Sequence, residues 1–116
     1  MSNAEHDRRI DYIEFSVPSI PAVKRFYGKA LGWSFEDYGP DYTSFADGRL
    51  SGGFQTAKGP GSGPLVVIYA VDLEAMEQRI REAGGTIVQS IFSFPGGRRF
   101  HFTDPAGHEL AVWSDK

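Results

Sequence analysis

The chain has 116 residues, of which 41% are hydrophobic and 14% aromatic, enough for one domain with a real core. The formal net charge is only −3 and the basic residues are scattered, which argues against nucleic-acid binding and membrane-surface binding. There is no cysteine, which excludes disulfides, thiolate metal sites and a catalytic thiol. Because no apolar run reaches membrane-spanning length and the start is polar, we expect a cytoplasmic protein.

The first half of the chain predicts a strand, a helix and three further strands. Residues 11–17 alternate apolar and polar side chains, as a half-buried strand does. Ser19 is a candidate N-cap, Pro21 suits the first turn, and Gly32 suits the end of the helix. The inward face of this helix is predicted from the apolar spacing of Val23, Phe26, Tyr27, Ala30 and Leu31. Short strands are predicted at 33–38, 42–46 and 50–55.

The second half repeats the pattern after a Gly/Pro/Ser-rich linker at 58–64. A strand at 65–71 leads to Asp72, a candidate N-cap for a helix at 73–83, and strands follow at 86–92, 99–103 and 109–113. Val17 matches Val71 and Phe26 matches Ile80 at a constant offset of 54. We therefore predict an internal duplication within a single domain at 8–116, with modules at 9–57 and 65–114. The expected fold class is α+β, with two tandem β-α-β-β-β modules forming a cupped, barrel-like, mostly antiparallel sheet and the helices outside.

The hairpin at 98–113 has one apolar face and one polar face. Its turn, Asp104-Pro105-Ala106-Gly107, combines residues that favour a reverse turn. Alternation places Phe100, Phe102, Leu110 and Val112 on one face and Arg99, His101, Thr103, Glu109, Ala111 and Trp113 on the other. A cation, an imidazole, a carboxylate and an indole together indicate a functional face rather than a packing face.

Two phrases, FYGKALGW at 26–33 and TDPAGHELAVW at 103–113, resemble the glyoxalase/bleomycin resistance/extradiol dioxygenase family, also called the vicinal oxygen chelate superfamily. The similarity spans 9–114 and includes the duplication. The resemblance implies the fold more than the function, because the family contains lyases, isomerases, dioxygenases, antibiotic-modifying transferases and non-catalytic drug-binding proteins. It also implies a homodimer.

The family's enzymes hold a divalent metal, so the resemblance implies a ligand at one position on each of four strands. Strand period and the duplication assign these positions to Tyr12, Gly52, Val66 and Ala111. None is a His, Asp, Glu or Gln, and we therefore expect no metal and no other cofactor. A register slipped by two residues would instead bring Glu14, His101 and Glu109 together as three possible ligands.

Glu14 and His101 are the candidates for acid/base chemistry. Glu14 lies between apolar residues on a central strand and needs a partner, for which Arg99 or His101 is the nearest candidate. An internal ion pair and a hydrogen-bonding liner are the structural alternatives for these two residues. Arg99 comes shortly after the sequence Pro95-Gly96-Gly97, which is predicted as a flexible loop able to close over the cup. Its guanidinium suits an anionic group of a ligand, and the structural alternative is that it is the counter-ion of Glu14 or Glu109. The predicted ligand-binding residues are Tyr12, Glu14, Tyr42, Phe54, Arg99, His101, Glu109 and Trp113. Phe54 is included as the repeat partner of Trp113, whereas for Trp33 the preferred interpretation is that it fills the interior or a dimer interface.

Three functions from different classes remain open at this point. The favoured hypothesis is a metal-free small-molecule binding protein whose ligand is aromatic or acidic. The second is a metal-dependent lyase, isomerase or dioxygenase, and the third is a structural or regulatory protein with a vestigial cup. The expected partners are a small molecule and a second copy of the chain, with no nucleic acid and no membrane.

Overall fold

The structure, a computed structural model, describes residues 3–57 and 63–116. Most of the predicted linker at 58–64 falls outside these residues. The elements are a 3-10 helix Asn3–His6, β1 Arg9–Val17, α1 Ile20–Leu31, β2 Ser34–Asp37, β3 Tyr42–Ala46, β4 Ser51–Thr56, β5 Leu65–Tyr69, α2 Leu73–Glu82, β6 Thr86–Phe94, β7 Gly97–Thr103 and β8 Glu109–Ser114. The two β-α-β-β-β repeats are confirmed. In the described residues, no helix is long and apolar enough to cross a membrane.

The chain divides into two compact units. The first, Tyr12–Leu65, is called unit A here, and the second, Met1–Asp11 with Val66–Lys116, is called unit B. Each unit has four neighbouring strands, in the order β2-β3-β4-β1 in unit A and β5-β8-β7-β6 in unit B. In each, one pair of strands is parallel and two are antiparallel, so the predicted α+β class with mostly antiparallel pairing is confirmed.

Unit A has its hydrophobic core beneath α1. The helix begins at the predicted N-cap, where the Ser19 hydroxyl accepts a hydrogen bond from the Ala22 amide, and ends at Gly32 in the left-handed conformation. The buried members of this core are Ile20, Phe45 and Phe54, with Phe15, Val17, Val23, Tyr27, Trp33 and Phe35 packed against them. Phe26 and Leu31 were predicted to face inward, but they are 61% and 59% exposed.

Unit B has a separate core beneath α2. Asp72 caps this helix by accepting a hydrogen bond from the Ala75 amide. The buried members of the core are Ala70, Leu73, Phe100, Phe102 and Val112, with Ile68, Met76, Ile80, Ile87, Ile91 and Leu110 packed against them. The predicted apolar face of the last hairpin is therefore confirmed as the face that packs beneath α2.

The two repeats are offset by 53 residues over the first strand and helix, and the predicted offset of 54 is wrong. The N-caps Ser19 and Asp72 differ by 72 − 19 = 53, and the same difference relates the buried residues Ile20 and Leu73. An error of one residue exchanges the two faces of a strand, because side chains alternate with a period of two. With the offset of 53, Phe26 corresponds to Arg79 rather than to Ile80.

The segment Pro95–Gly97 is not the flexible loop that its composition suggested. Phe94 pairs directly with Gly97, so Pro95 and Gly96 form a two-residue hairpin turn in which Gly96 has φ +117°. A β carbon on Gly97 would lie 2.0 Å from the Ser114 carbonyl oxygen. The turn is therefore built into the sheet, and Arg98 and Arg99 follow it as regular strand residues.

Candidate functional site

The face of unit A opposite α1 carries a cluster of three polar side chains. Tyr12 and Glu14 project from β1, and Tyr42 projects from β3. The strand between them, β4, pairs Gly53 with both Glu14 and Ser44. Because Gly53 has no side chain, the Tyr42 hydroxyl can cross β4 and reach the residues of β1.

These three side chains form a short hydrogen-bonded chain. The Tyr42 hydroxyl donates to Glu14 Oε2 at 3.0 Å, and the hydroxyl oxygens of Tyr42 and Tyr12 lie 2.5 Å apart. An ionised carboxylate only accepts hydrogen bonds, so the Tyr42 proton is committed to Glu14 and Tyr12 donates to Tyr42. Burial, followed by the hydrogen bond to Tyr12 and the charge of Glu14, raises the pKa of Tyr42.

Glu14 is 7% exposed, as expected for a carboxylate on this strand. Sequence reasoning had named Arg99 or His101 as its partner and had not considered Tyr42. Tyr42 could have been found from the glycine opposite Glu14, but only with the pairing of β1, β4 and β3 known. Such pairings between distant residues are not readable from local sequence.

The face of unit B opposite α2 carries the predicted polar side of the last hairpin. Arg99 pairs with Trp113, and His101 pairs with Ala111, so these side chains share one face. The hairpin turn is also as predicted, since Asp104 Oδ1 accepts hydrogen bonds from the amides of Ala106 and His108, both at 2.9 Å. The neighbouring Arg98 points the other way and pairs with Glu74 of α2 at 2.6 Å.

His101 and Glu109 form a dyad on this face. His101 Nδ1 lies 2.9 Å from Glu109 Oε2, and the imidazole stacks on the Phe92 ring with centroids 5.9 Å apart. His101 is 7% exposed, whereas the side chain of Glu109 is about half exposed. Among the described residues, His101 Nε2 is buried and has no hydrogen-bond partner.

Arg99 lies among aromatic rings. Its guanidinium carbon is 5.4 Å from the centroid of Phe92 and 5.6 Å from that of Phe94, and the rings of Phe94 and Trp113 are 6.4 Å apart. All four side chains are partly exposed. Sequence reasoning had named Arg99 and Trp113 but missed the two phenylalanines, since the predicted strand included Phe92 without assigning it to the site and ended before Phe94. Their spacing of two residues was the available signal.

Trp113 is held by residues near the start of the chain. Its indole Nε1 donates to Asp11 Oδ2 at 2.9 Å, and His6 Nδ1 lies 2.8 Å from the other oxygen of Asp11. The Tyr69 ring packs edge-on against the indole with centroids 5.1 Å apart. No local signal predicts this contact, since Asp11 and Trp113 are separated by 102 positions.

Phe54 was predicted to line the ligand site, and this prediction is wrong. The ring is buried in the core beneath α1, where it stacks on Phe15 and Tyr27. It had been assigned to the polar face because the two repeats were aligned with Phe54 opposite Trp113. That alignment is wrong by one residue. Trp33, for which filling the interior was the preferred interpretation, does pack against this core.

The residues present do not fit the divalent metal that the family implies. Gly52 and Val66 lie on the core sides of their strands, because a β carbon on Gly52 would meet Phe45 and Val66 pairs with Leu110. The positions that share the polar faces are their neighbours Gly53 and Val67, which also lack donor atoms. Within the described residues, no group of three His, Cys, Asp or Glu side chains could hold a metal ion.

Comparison with protein families finds one match over nearly the whole chain. Residues 9–112 match the family described as "Glyoxalase/Bleomycin resistance protein/Dioxygenase superfamily". Among curated proteins, the chain is 29% identical to the anthracycline biosynthesis protein DnrV of Streptomyces peucetius and 28% identical to DauV of Streptomyces sp. (strain C5). Each alignment covers 88% of this chain and 45% of the relative, so the chain spans less than half the length of these relatives.

Solved structures show the same fold at low identity. A superfamily member from Vibrio splendidus 12B01 has a TM-score of 0.74 at 20% identity, covering 91% of this chain and 97% of that one. The Mn(II)-bound glyoxalase from Novosphingobium aromaticivorans has a TM-score of 0.70 at 21% identity, and the alignment covers 95% of this chain and 40% of that one. Methylmalonyl-CoA epimerase from Mycobacterium tuberculosis has a TM-score of 0.71 at 15% identity, and the alignment covers 98% of this chain and 92% of that one.

Proposed function

Since the chain belongs to the glyoxalase/bleomycin resistance protein/dioxygenase superfamily, we propose that it binds a flat aromatic molecule bearing an anionic group, without a resident metal. The binding surface is the face of unit B opposite α2, called the aromatic face here and defined by Phe92, Phe94, Arg99 and Trp113. This ligand class is compatible with the curated relatives, which are named for the biosynthesis of anthracyclines, a class of polycyclic aromatic compounds.

The observation that carries this proposal is the position of Arg99 among partly exposed rings. A planar apolar ligand gains from stacking on aromatic side chains, and a guanidinium binds a carboxylate through charge-assisted, often paired, hydrogen bonds. Arg99 lies within 5.6 Å of two ring centroids, so one small molecule can contact both kinds of group. Phe100, between Arg99 and His101, points into the core and fixes the strand that presents them.

The test is a calorimetric titration with 2-naphthoate and with its uncharged amide. We expect the carboxylate to bind more tightly, and Arg99→Ala to weaken its binding by about 1.5 to 3 kcal/mol, the scale of a charge-assisted hydrogen bond. Arg98→Ala is the matched control, because that neighbouring side chain points toward α2 and pairs with Glu74. Equal effects of the two substitutions, or equal affinities of acid and amide, would overturn the proposal.

The absence of a resident metal is tested separately. After exhaustive dialysis, elemental analysis should find no stoichiometric transition metal in the purified protein. About one transition ion per chain would show that the donor atoms had been misjudged and would favour the metal-dependent enzymes of the family.

We also propose a homodimer. Support comes from Phe26 and Leu31, which project from α1 with well over half of each residue exposed. Burial against a second copy of the chain would remove this apolar surface from water. Light scattering that reports a monomer across micromolar concentrations would refute the dimer.

A further inference from the structure

The buried nitrogen of His101 is not used by the function proposed above. His101 Nδ1 is engaged by Glu109, while Nε2 is buried and lacks a hydrogen-bond partner among the described residues. Buried polar atoms are nearly always satisfied, so an orphaned one in a polar region indicates a group that is supplied from outside the chain. The imidazole lies two positions along β7 from Arg99 and on the same face.

Glu109 determines which kind of group His101 can accept. Because a carboxylate accepts hydrogen bonds and does not donate them, the Nδ1 atom of neutral His101 carries the proton and Nε2 presents a lone pair. A ligand can form a hydrogen bond with this lone pair only through a donor group of its own. A ligand hydroxyl therefore suits Nε2, and a ligand carbonyl or ether oxygen does not.

Phe92 connects His101 to the aromatic face. Its ring stacks on the imidazole and also lies under the Arg99 guanidinium. The pairing of β6 with β7 slips between Gln89, which pairs with His101, and Phe92, which pairs with Arg99. Such irregularities in a strand often occur beside binding sites, where they redirect a side chain. Since Nε2 is buried in the absence of ligand, Phe92 is the side chain that we expect to move when a ligand reaches it.

We propose that His101 Nε2 accepts a hydrogen bond from a ring hydroxyl of the ligand, so that the preferred ligands are hydroxylated aromatic acids. The carboxylate binds Arg99, the ring packs on the aromatic face, and the phenol donates to His101. This inference rests on the proposed function, because it requires Arg99 and the aromatic face to bind the rest of the molecule.

The affinity test compares 2-naphthoate with its 5-, 6- and 7-hydroxy derivatives and with the matching methoxy compounds. At least one hydroxy isomer should bind about three- to tenfold more tightly than 2-naphthoate, the range of one neutral hydrogen bond. Its methoxy counterpart, which has no donor, should show no gain. If 2-naphthoate binds in an Arg99-dependent way but no hydroxy isomer gains, only this inference fails. If no naphthoate binds, the proposed function fails with it.

Two variants and one spectroscopic measurement test the role of the dyad. Long-range proton–nitrogen correlation spectra of the ligand-free protein should show His101 protonated on Nδ1, and protonation on Nε2 would overturn the inference. Glu109→Gln can donate to Nδ1 and so stabilise the opposite tautomer, which should abolish the preference for hydroxy over methoxy ligands. Glu82→Gln, on the exposed surface of α2, should leave that preference unchanged. Retention of the preference in Glu109→Gln would also contradict the proposal.

Discussion

Gly53 lies where any β carbon would come within 2.0 Å of the Tyr42 hydroxyl oxygen and 2.6 Å of the Tyr12 hydroxyl oxygen. The two phenols therefore occupy space that only a glycine leaves open. The hydrogen bond from Tyr42 to Glu14 depends on this space, so the buried carboxylate of β1 keeps its partner because of a missing side chain on β4.

Gly53→Ala should destabilise the protein by about 1 to 3 kcal/mol, the usual cost of overpacking a filled site. The added methyl group must displace Tyr42 and weaken its hydrogen bond to Glu14. Urea denaturation would measure this change. Gly28→Ala is the control, because its β carbon would make an ordinary 3.5 Å contact with Phe35 and alanine favours a helix. Equal stabilities of the two variants would contradict the prediction.

Asp11→Ala should destabilise the protein by about 1 to 3 kcal/mol, because the partly buried indole of Trp113 loses its hydrogen-bond acceptor. The indole environment also changes, and tryptophan fluorescence should report this. In a double-mutant cycle, Asp11→Ala should have a much smaller effect when Trp113→Phe has already removed the indole N–H. Strict additivity of the two substitutions would show that the contact contributes nothing to stability.

Asp104→Asn should reduce the sensitivity of the fold to acid. Hydrogen bonds to Asp104 lower the pKa of this carboxyl below its ordinary value of 3.8, and the hydrogen bond from the His108 amide has the largest effect. A carboxyl with a lowered folded-state pKa stabilises the protein above the unfolded pKa, and this contribution disappears as pH falls through the folded pKa. The variant should have a lower Tm at neutral pH and a shallower decline of Tm below about pH 4.

The other repeat offers a parallel experiment. Asp47 Oδ1 accepts hydrogen bonds from the amides of Arg49 and Leu50 at 2.8 and 2.6 Å, and these bonds lower the pKa of Asp47. Asp47→Asn should therefore flatten the acid decline in the same direction. Variants at both positions that follow the wild-type pH profile would refute this account of the two turns.

Tyr42→Phe should make the protein less sensitive to alkali. Burial raises the pKa of Tyr42 above its ordinary value of 10.0, so the folded protein keeps this proton after the unfolded chain has lost it. A raised pKa contributes stability below the unfolded pKa that is lost as pH rises above it. Relative to the variant, the wild type should lose stability more steeply above about pH 10, with circular dichroism as the measurement. Parallel alkaline profiles would contradict the prediction.

The sequence by itself determined the local structure of each repeat. Ser19 and Asp72 cap their helices as predicted, the turn at Asp104 is held by the predicted carboxylate, and the two faces of the last hairpin are correct. These features depend on residues a few positions apart, and periodicity and capping chemistry report on that range. The β-α-β-β-β order followed because the same local signals occur twice.

Only the tertiary structure decided which face of β4 packs in the core and which is polar. It also decided which distant side chains form hydrogen bonds with each other. Phe54 was misplaced because an alignment of the repeats that is wrong by one residue reverses every side chain of a strand. The contacts of Tyr42 with Glu14 and of Trp113 with Asp11 each join residues far apart in the chain. Such contacts depend on strand register, which is fixed by the packing of the whole sheet and not by the residues on either side.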